Sequence, residues 1–155
     1  MQPNTPKNQN PYASAAGAYG TNAQKHASDP REVEARVLLK SAQFMADLQN
    51  NWDGVTSEIL DETLKYNRDI WMMFYDTAIE DTGTRPKELN NNIFSLANFI
   101  FKREIDIKAK PEKQKFDILI SINRDIAAGL MEGVRNTAAS GENSASPSSE
   151  DTKNP

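Results

Sequence analysis

The sequence contains no cysteine, which excludes disulfide bridges and thiolate metal sites. Its one histidine, His26, precedes the first helical pattern, so a histidine base inside the fold is excluded. No apolar run approaches the roughly 18 residues of a membrane span, and the N-terminus lacks the apolar core of a signal peptide. A cytoplasmic location is therefore expected. There is no glycine-rich phosphate loop, no Glu-x-x-His metal pair and no alternating strand pattern. Surface carboxylates are plentiful, but no cleft signature gathers them. Without a catalytic set, a non-enzymatic chain with no cofactor and no metal is expected. The net charge is −4 over 155 residues, with both signs mixed along the chain. That composition argues against general nucleic-acid binding and predicts no membrane association.

What the sequence does have is helical periodicity. Asp29 suits an N-cap, Pro30 a first helical position, and Glu32 would complete a capping box. Val37, Ser41, Phe44 and Leu48 form the first stripe, widened by Val33, Leu38 and Met45. Asn50–Gly54 reads as a break, with Trp52 closing the end of the core. A second helix starts at Thr56 or Ser57. Its stripe is Leu60, Leu64, Asn67, Trp71, Phe74 and Ala78, spaced four, three, four, three and four apart. The third helix begins near Pro86, with Leu89, Ile93, Leu96 and Ile100 as stripe and Ala97 and Phe101 beside it. Asn90, Asn91 and Asn92 in its first turns imply fraying or deliberate polar contacts. The fourth begins after Lys110-Pro111, carries Phe116, Leu119, Asn123, Ile126 and Leu130, and ends near Gly133 as C-cap.

These patterns predict an all-α protein, a four-helix antiparallel bundle over residues 28–135, with helices at about 30–49, 56–80, 86–107 and 111–132. Residues 1–27 read as a disordered arm and 136–155 as a disordered tail. The predicted bundle comprises about 105 residues, enough for one cooperative core.

One tetrapeptide, NRDI, occurs twice, at Asn67–Ile70 and Asn123–Ile126, in the same phase of its helical seam. Two readings follow. The first is register specification, because any other helix alignment leaves a buried amide unpaired. The second and fourth helices of such a bundle are diagonal and parallel, so Asn67 and Asn123 can meet across the core. The second reading is a polar notch of Asn67, Arg68, Asn123 and Arg124 that receives a partner's backbone. Arg68 and Arg124 lie one step off the seam, where they can also pair with acidic neighbours. Trp71, Met72, Met73 and Phe74 form a dense apolar cluster. Core packing accounts for most of it, but Met72 and Met73 cannot both face the seam, which leaves one for an adaptable binding patch. Ile118, Ile120 and Ile122 lie off the fourth stripe, so that helix is either the most enclosed or two-faced.

The N-terminal segment Asn10–Gly20, NPYASAAGAYG, sets Tyr12 and Tyr19 among small residues. It reads either as a solvated arm or as a peptide that docks on its own bundle or on a partner.

The chain resembles the FlaF family of flagellar biosynthesis regulators of alphaproteobacteria. The resemblance runs from about Asn10 to Gly129. It rests on NPYASAAGAYG at Asn10–Gly20, DPREVEARVLLKSA at Asp29–Ala42, LKYNRDIWMMF at Leu64–Phe74, NNIFSLANFI at Asn91–Ile100 and LISINRDIAAGL at Leu119–Leu130. It implies a small cytoplasmic protein needed for flagellin production and export, acting with a second regulator, FlbT. It implies no catalysis.

Two functions are carried forward. In one, the bundle is a chaperone-like module that grips amphipathic helices of flagellin. Its expected partner-binding residues are Tyr12, Tyr19, Asn67, Arg68, Trp71, Asn92, Ile118, Ile122, Asn123 and Arg124. In this reading an arm docked on the bundle would hold the partner groove until flagellin arrives. In the other, the protein controls flagellin mRNA, directly or through FlbT. Direct contact would need a basic surface, for which Lys102, Arg103, Lys108, Lys110, Lys113 and Lys115 are the candidates, interrupted by Glu104, Asp106 and Glu112.

Overall fold

The computed structural model describes residues 29–144. Among them are four α-helices: α1 (Pro30–Asn50), α2 (Ser57–Glu80), α3 (Lys87–Ala109) and α4 (Asp117–Ser144). Two 3₁₀ turns, Trp52–Gly54 and Lys113–Phe116, sit in the connections, and the described residues contain no strand. The expectations for residues 1–27, Tyr12 and Tyr19 included, fall outside the described residues.

Local chemistry sets the helix starts. The Asp29 side chain accepts a hydrogen bond from the Arg31 backbone N–H at 2.9 Å, and Pro30 occupies the first helical position. Glu32 does not serve as the box acid; its carboxylate pairs with Arg36 one turn on. Thr56 caps α2 by accepting from the Ile59 N–H at 3.1 Å. α3 has no side-chain cap. Instead, Asp81 in the preceding turn accepts from the Thr84 and Arg85 N–H groups and from Asn90 Nδ2 at 2.7 Å. That contact explains one of the three consecutive asparagines. Gly83 holds a φ of 104° in this turn, a conformation that side chains disfavour.

Neighbouring helices run antiparallel. Gln49, at the end of α1, bonds to Lys113 and Asp117 at the start of α4, while Arg31 reaches Thr137 near the other end of α4. α1 packs most extensively on α4, and α3 on α2. α3 and α4 meet only sparsely, so the bundle is open along one seam.

The α2 stripe is buried in full, from Leu60 through Asn67 and Trp71 to Ala78. The α1 stripe is shifted from the expected one. Ala35, Leu38, Ser41, Ala42, Met45 and Leu48 are buried, whereas Val37 and Phe44 are half-buried. α1 is enclosed by two neighbours, so its buried centre lies between the two contact lines. Phe44 flanks that centre, edge-on to Tyr66 at 5.4 Å. In α3 the buried line is Asn90, Ala97, Ile100, Glu104 and Ile107. The expected line of Leu89, Ile93 and Leu96 is half-buried or exposed, because it faces the open seam.

α4 departs from expectation at both ends. Its first turn is 3₁₀, and Phe116 there is buried edge-on to Trp52 at 6.2 Å, closing that end of the core. Gly133 is no cap: the helix continues through it to Ser144, into the segment expected to be disordered. Ala138 and Ala139 supply helix propensity without hydrophobic periodicity. Arg31 also anchors this stretch, since its guanidinium donates to Thr137 Oγ1 at 2.8 Å and passes over Gly133. No helix among the described residues is long and apolar enough to cross a membrane.

Candidate partner-binding groove

The two NRDI asparagines meet in the centre of the bundle. Asn123 Nδ2 donates to Asn67 Oδ1 at 2.7 Å, and Ser41 Oγ donates to the same oxygen at 2.9 Å. Asn123 Oδ1 accepts from Trp71 Nε1 at 2.9 Å, and Asn123 Nδ2 also approaches the Leu38 carbonyl at 3.4 Å. Asn67 is 2% exposed, Asn123 0% and Trp71 1%. The network joins α1, α2 and α4, and sliding any one helix by a turn would orphan several buried polar atoms. Register specification is the reading this geometry matches. The arrangement corrects the expectation of a polar notch, because both amides are consumed inside the core and a partner cannot reach them.

The arginines beside them diverge. Arg68 pairs with Glu104 of α3, a buried carboxylate that also has Lys108 Nζ at 3.1 Å. Arg124 is exposed. Ile118 is exposed and Ile122 half-buried against the core. Met72 and Met73 are both exposed on α2.

The concave apolar feature lies elsewhere, in the open seam. A groove of about 630 Å³ runs between α3 and α4. One wall is Leu89, Ile93 and Leu96 of α3, and the other is Ile126 and Leu130 of α4. Trp71 and Phe74 of α2 form the floor, their rings edge-on with centroids 5.4 Å apart. Asn92, Ser95 and Thr84 supply polar rim positions. Leu89 is 45% exposed, large for a residue on an apolar stripe.

Charge gathers at one end of the groove. Glu34 of α1 lies 3.9 Å from the Arg85 guanidinium, with Arg31 beside it on the rim. Burial pushes the Glu34 carboxyl above the usual carboxylate range, and Arg85 offsets only part of that. Asp81, in the turn leading to the groove, is held down at about 2 by hydrogen bonds from Asn90 and Thr84.

Of the ten expected partner-binding residues, the groove brings together Trp71, as buried floor, and Asn92, on the rim. Sequence reasoning assigned Leu89, Ile93 and Leu96 to the core and missed the groove they form. The signal was present: α3 carries two apolar lines, Leu89–Ile93–Leu96 and Ala97–Ile100–Ile107, while a helix packed on a single neighbour buries one.

The sequence model of one protein family, described as flagellar protein FlaF, matches residues 15–130. No curated protein and no solved structure matches the chain. The matched region takes in α1, α2, α3 and both walls of the groove. The chain belongs to the FlaF family of flagellar proteins.

Proposed function

We propose that this protein is a non-enzymatic, chaperone-like binding module that holds flagellin in the cytoplasm and supports its production and export. The observation that carries the proposal is the unclosed seam between α3 and α4. Its walls have the composition of a core, yet the bundle leaves them partly in water. An amphipathic helix laid along the seam would supply the missing neighbour, presenting apolar side chains at i, i+3, i+4 and i+7. In this reading, flagellin subunits awaiting assembly present amphipathic terminal helices of that kind. Membership of a flagellar protein family supports a flagellar partner. A FlbT-type regulator enters as a further partner, on the resemblance alone.

Direct mRNA binding has less support. Of the candidate basic residues, Arg103, Lys108, Lys110 and Lys115 each lie within 4 Å of a carboxylate, at 3.8, 3.1, 3.3 and 3.2 Å. Pairing of this kind removes much of the positive field that phosphates need.

The test is calorimetry of the full chain with purified flagellin, repeated with Leu89→Glu. Leu89 is exposed enough that the substitution spares the fold, but it sets a charge against the docked helix. Binding with an affinity at least about tenfold weaker for the variant, a change of roughly 1.4 kcal/mol, is expected. No heat and no co-elution with the wild-type chain would end the proposal.

A further inference from the structure

The groove begins where the described chain begins. Asp29 caps α1 and holds Arg31, and Arg31 and Glu34 stand on the groove rim. Residues 1–28 therefore join the bundle beside this seam. From the geometry we infer that residues 10–20 of the same chain occupy the groove between α3 and α4.

Three observations select this occupant. The first is reach. Nine peptide steps separate Gly20 from Asp29, and extended chain covers up to about 30 Å in that distance. The groove wall from Leu89 to Leu96 spans only about 10 Å at the helical rise of ~1.5 Å per residue. The second is pattern. Tyr12, Ala15, Ala16 and Tyr19 fall at i, i+3, i+4 and i+7, one face of a helix. The seven-residue step from Tyr12 to Tyr19 equals that from Leu89 to Leu96, so two rings can reach the two ends of the wall with the small alanines between them. The third is chemistry. Residues 10–20 carry no charge, matching an apolar wall, and tyrosine keeps its hydroxyl for a polar rim such as Asn92, Ser95 or Thr84. The family match starts at residue 15, inside this segment and ahead of α1.

Occupancy by the chain's own segment is separate from the flagellin proposal. Only its consequence, that flagellin must displace the segment, rests on that reading. The test uses the full chain alone. Because the sequence has no cysteine, Ser14→Cys, on the side of the segment away from Tyr12, Ala15, Ala16 and Tyr19, gives a single site for a nitroxide label. Methyl NMR should show signal loss at Leu89, Ile93, Leu96 and Leu130 relative to the reduced label, and far less at Ile59 and Ile118, toward the opposite end of the bundle. Tyr12→Ser with Tyr19→Ser, both outside the described helices, should restore the groove signals. Three results would overturn the inference. One is no loss at the groove methyls. Another is loss that persists in the tyrosine variant. The last is loss in unlabelled chain mixed with NMR-silent labelled chain, which would place a second copy's segment there. Each is read without flagellin, so failure here leaves the flagellin proposal to be judged by its own experiment.

Discussion

Replacing Asn123 with alanine should be the most damaging small change to the bundle core. The side chain accepts the Trp71 indole N–H and donates to Asn67, with all three residues buried. Truncation leaves the Trp71 N–H with no acceptor, a cost of about 1–3 kcal/mol, and removes the bond to Asn67, worth about 1. A cavity of a few heavy atoms adds roughly another 1 kcal/mol. The sum, about 4 kcal/mol, is a large part of the 5–15 kcal/mol typical of such a domain. For a bundle of this size it lowers the midpoint of a thermal melt, followed by far-UV circular dichroism, by about 15 °C. A double-mutant cycle isolates the Trp71–Asn123 contact. Trp71→Phe removes the orphaned donor, so adding it to Asn123→Ala should cost less than the sum of the two single changes, by about 1–3 kcal/mol. A loss below about 1 kcal/mol for Asn123→Ala, or additivity within about 0.5 kcal/mol, would show that no such network operates.

Other outcomes follow from the same structure. Asp81 has a depressed folded value of about 2, so its contribution is full above the unfolded value near 3.8 and is lost as pH falls toward 2. Asp81→Asn should flatten the stability–pH curve from urea melts in that window. Glu34 is shifted the other way, so its neutral form favours the fold and its penalty grows as pH rises past 4.5. Glu34→Gln should then be more stable than the native chain at pH 7 by urea denaturation, while a drop would show that the Arg85 pairing outweighs burial. Gly83→Ala forces a side chain into positive φ, and a loss of about 1–2 kcal/mol in the same assay is expected.

Much of this architecture was legible in the residues. The α2 stripe has a regular four-three alternation, and every member of it is buried. The meeting of Asn67 and Asn123 followed from the matched phase of the two NRDI copies and from bundle topology. The Trp71 and Ser41 contacts that complete the network did not, because they depend on side-chain directions that spacing leaves undetermined. Helix periodicity also reports which residues are apolar, not whether a neighbour covers them. Leu89, Ile93 and Leu96 read as core for that reason, and only the sparse contact between α3 and α4 reveals them as a groove wall. The reach of α4 to Ser144 was hidden because its last turns carry no apolar stripe, while the Arg31–Thr137 contact spans 106 residues of sequence.

The most direct test of a helix-gripping seam is a methyl NMR titration of the full chain with a peptide of flagellin's amphipathic terminal helix. Saturable shifts at Leu89, Ile93, Leu96, Ile126 and Leu130, with Ile118 and Ile122 unmoved, are the predicted result. Shifts confined to the Ile118 end or to Met72 and Met73, with the seam silent, would contradict the account.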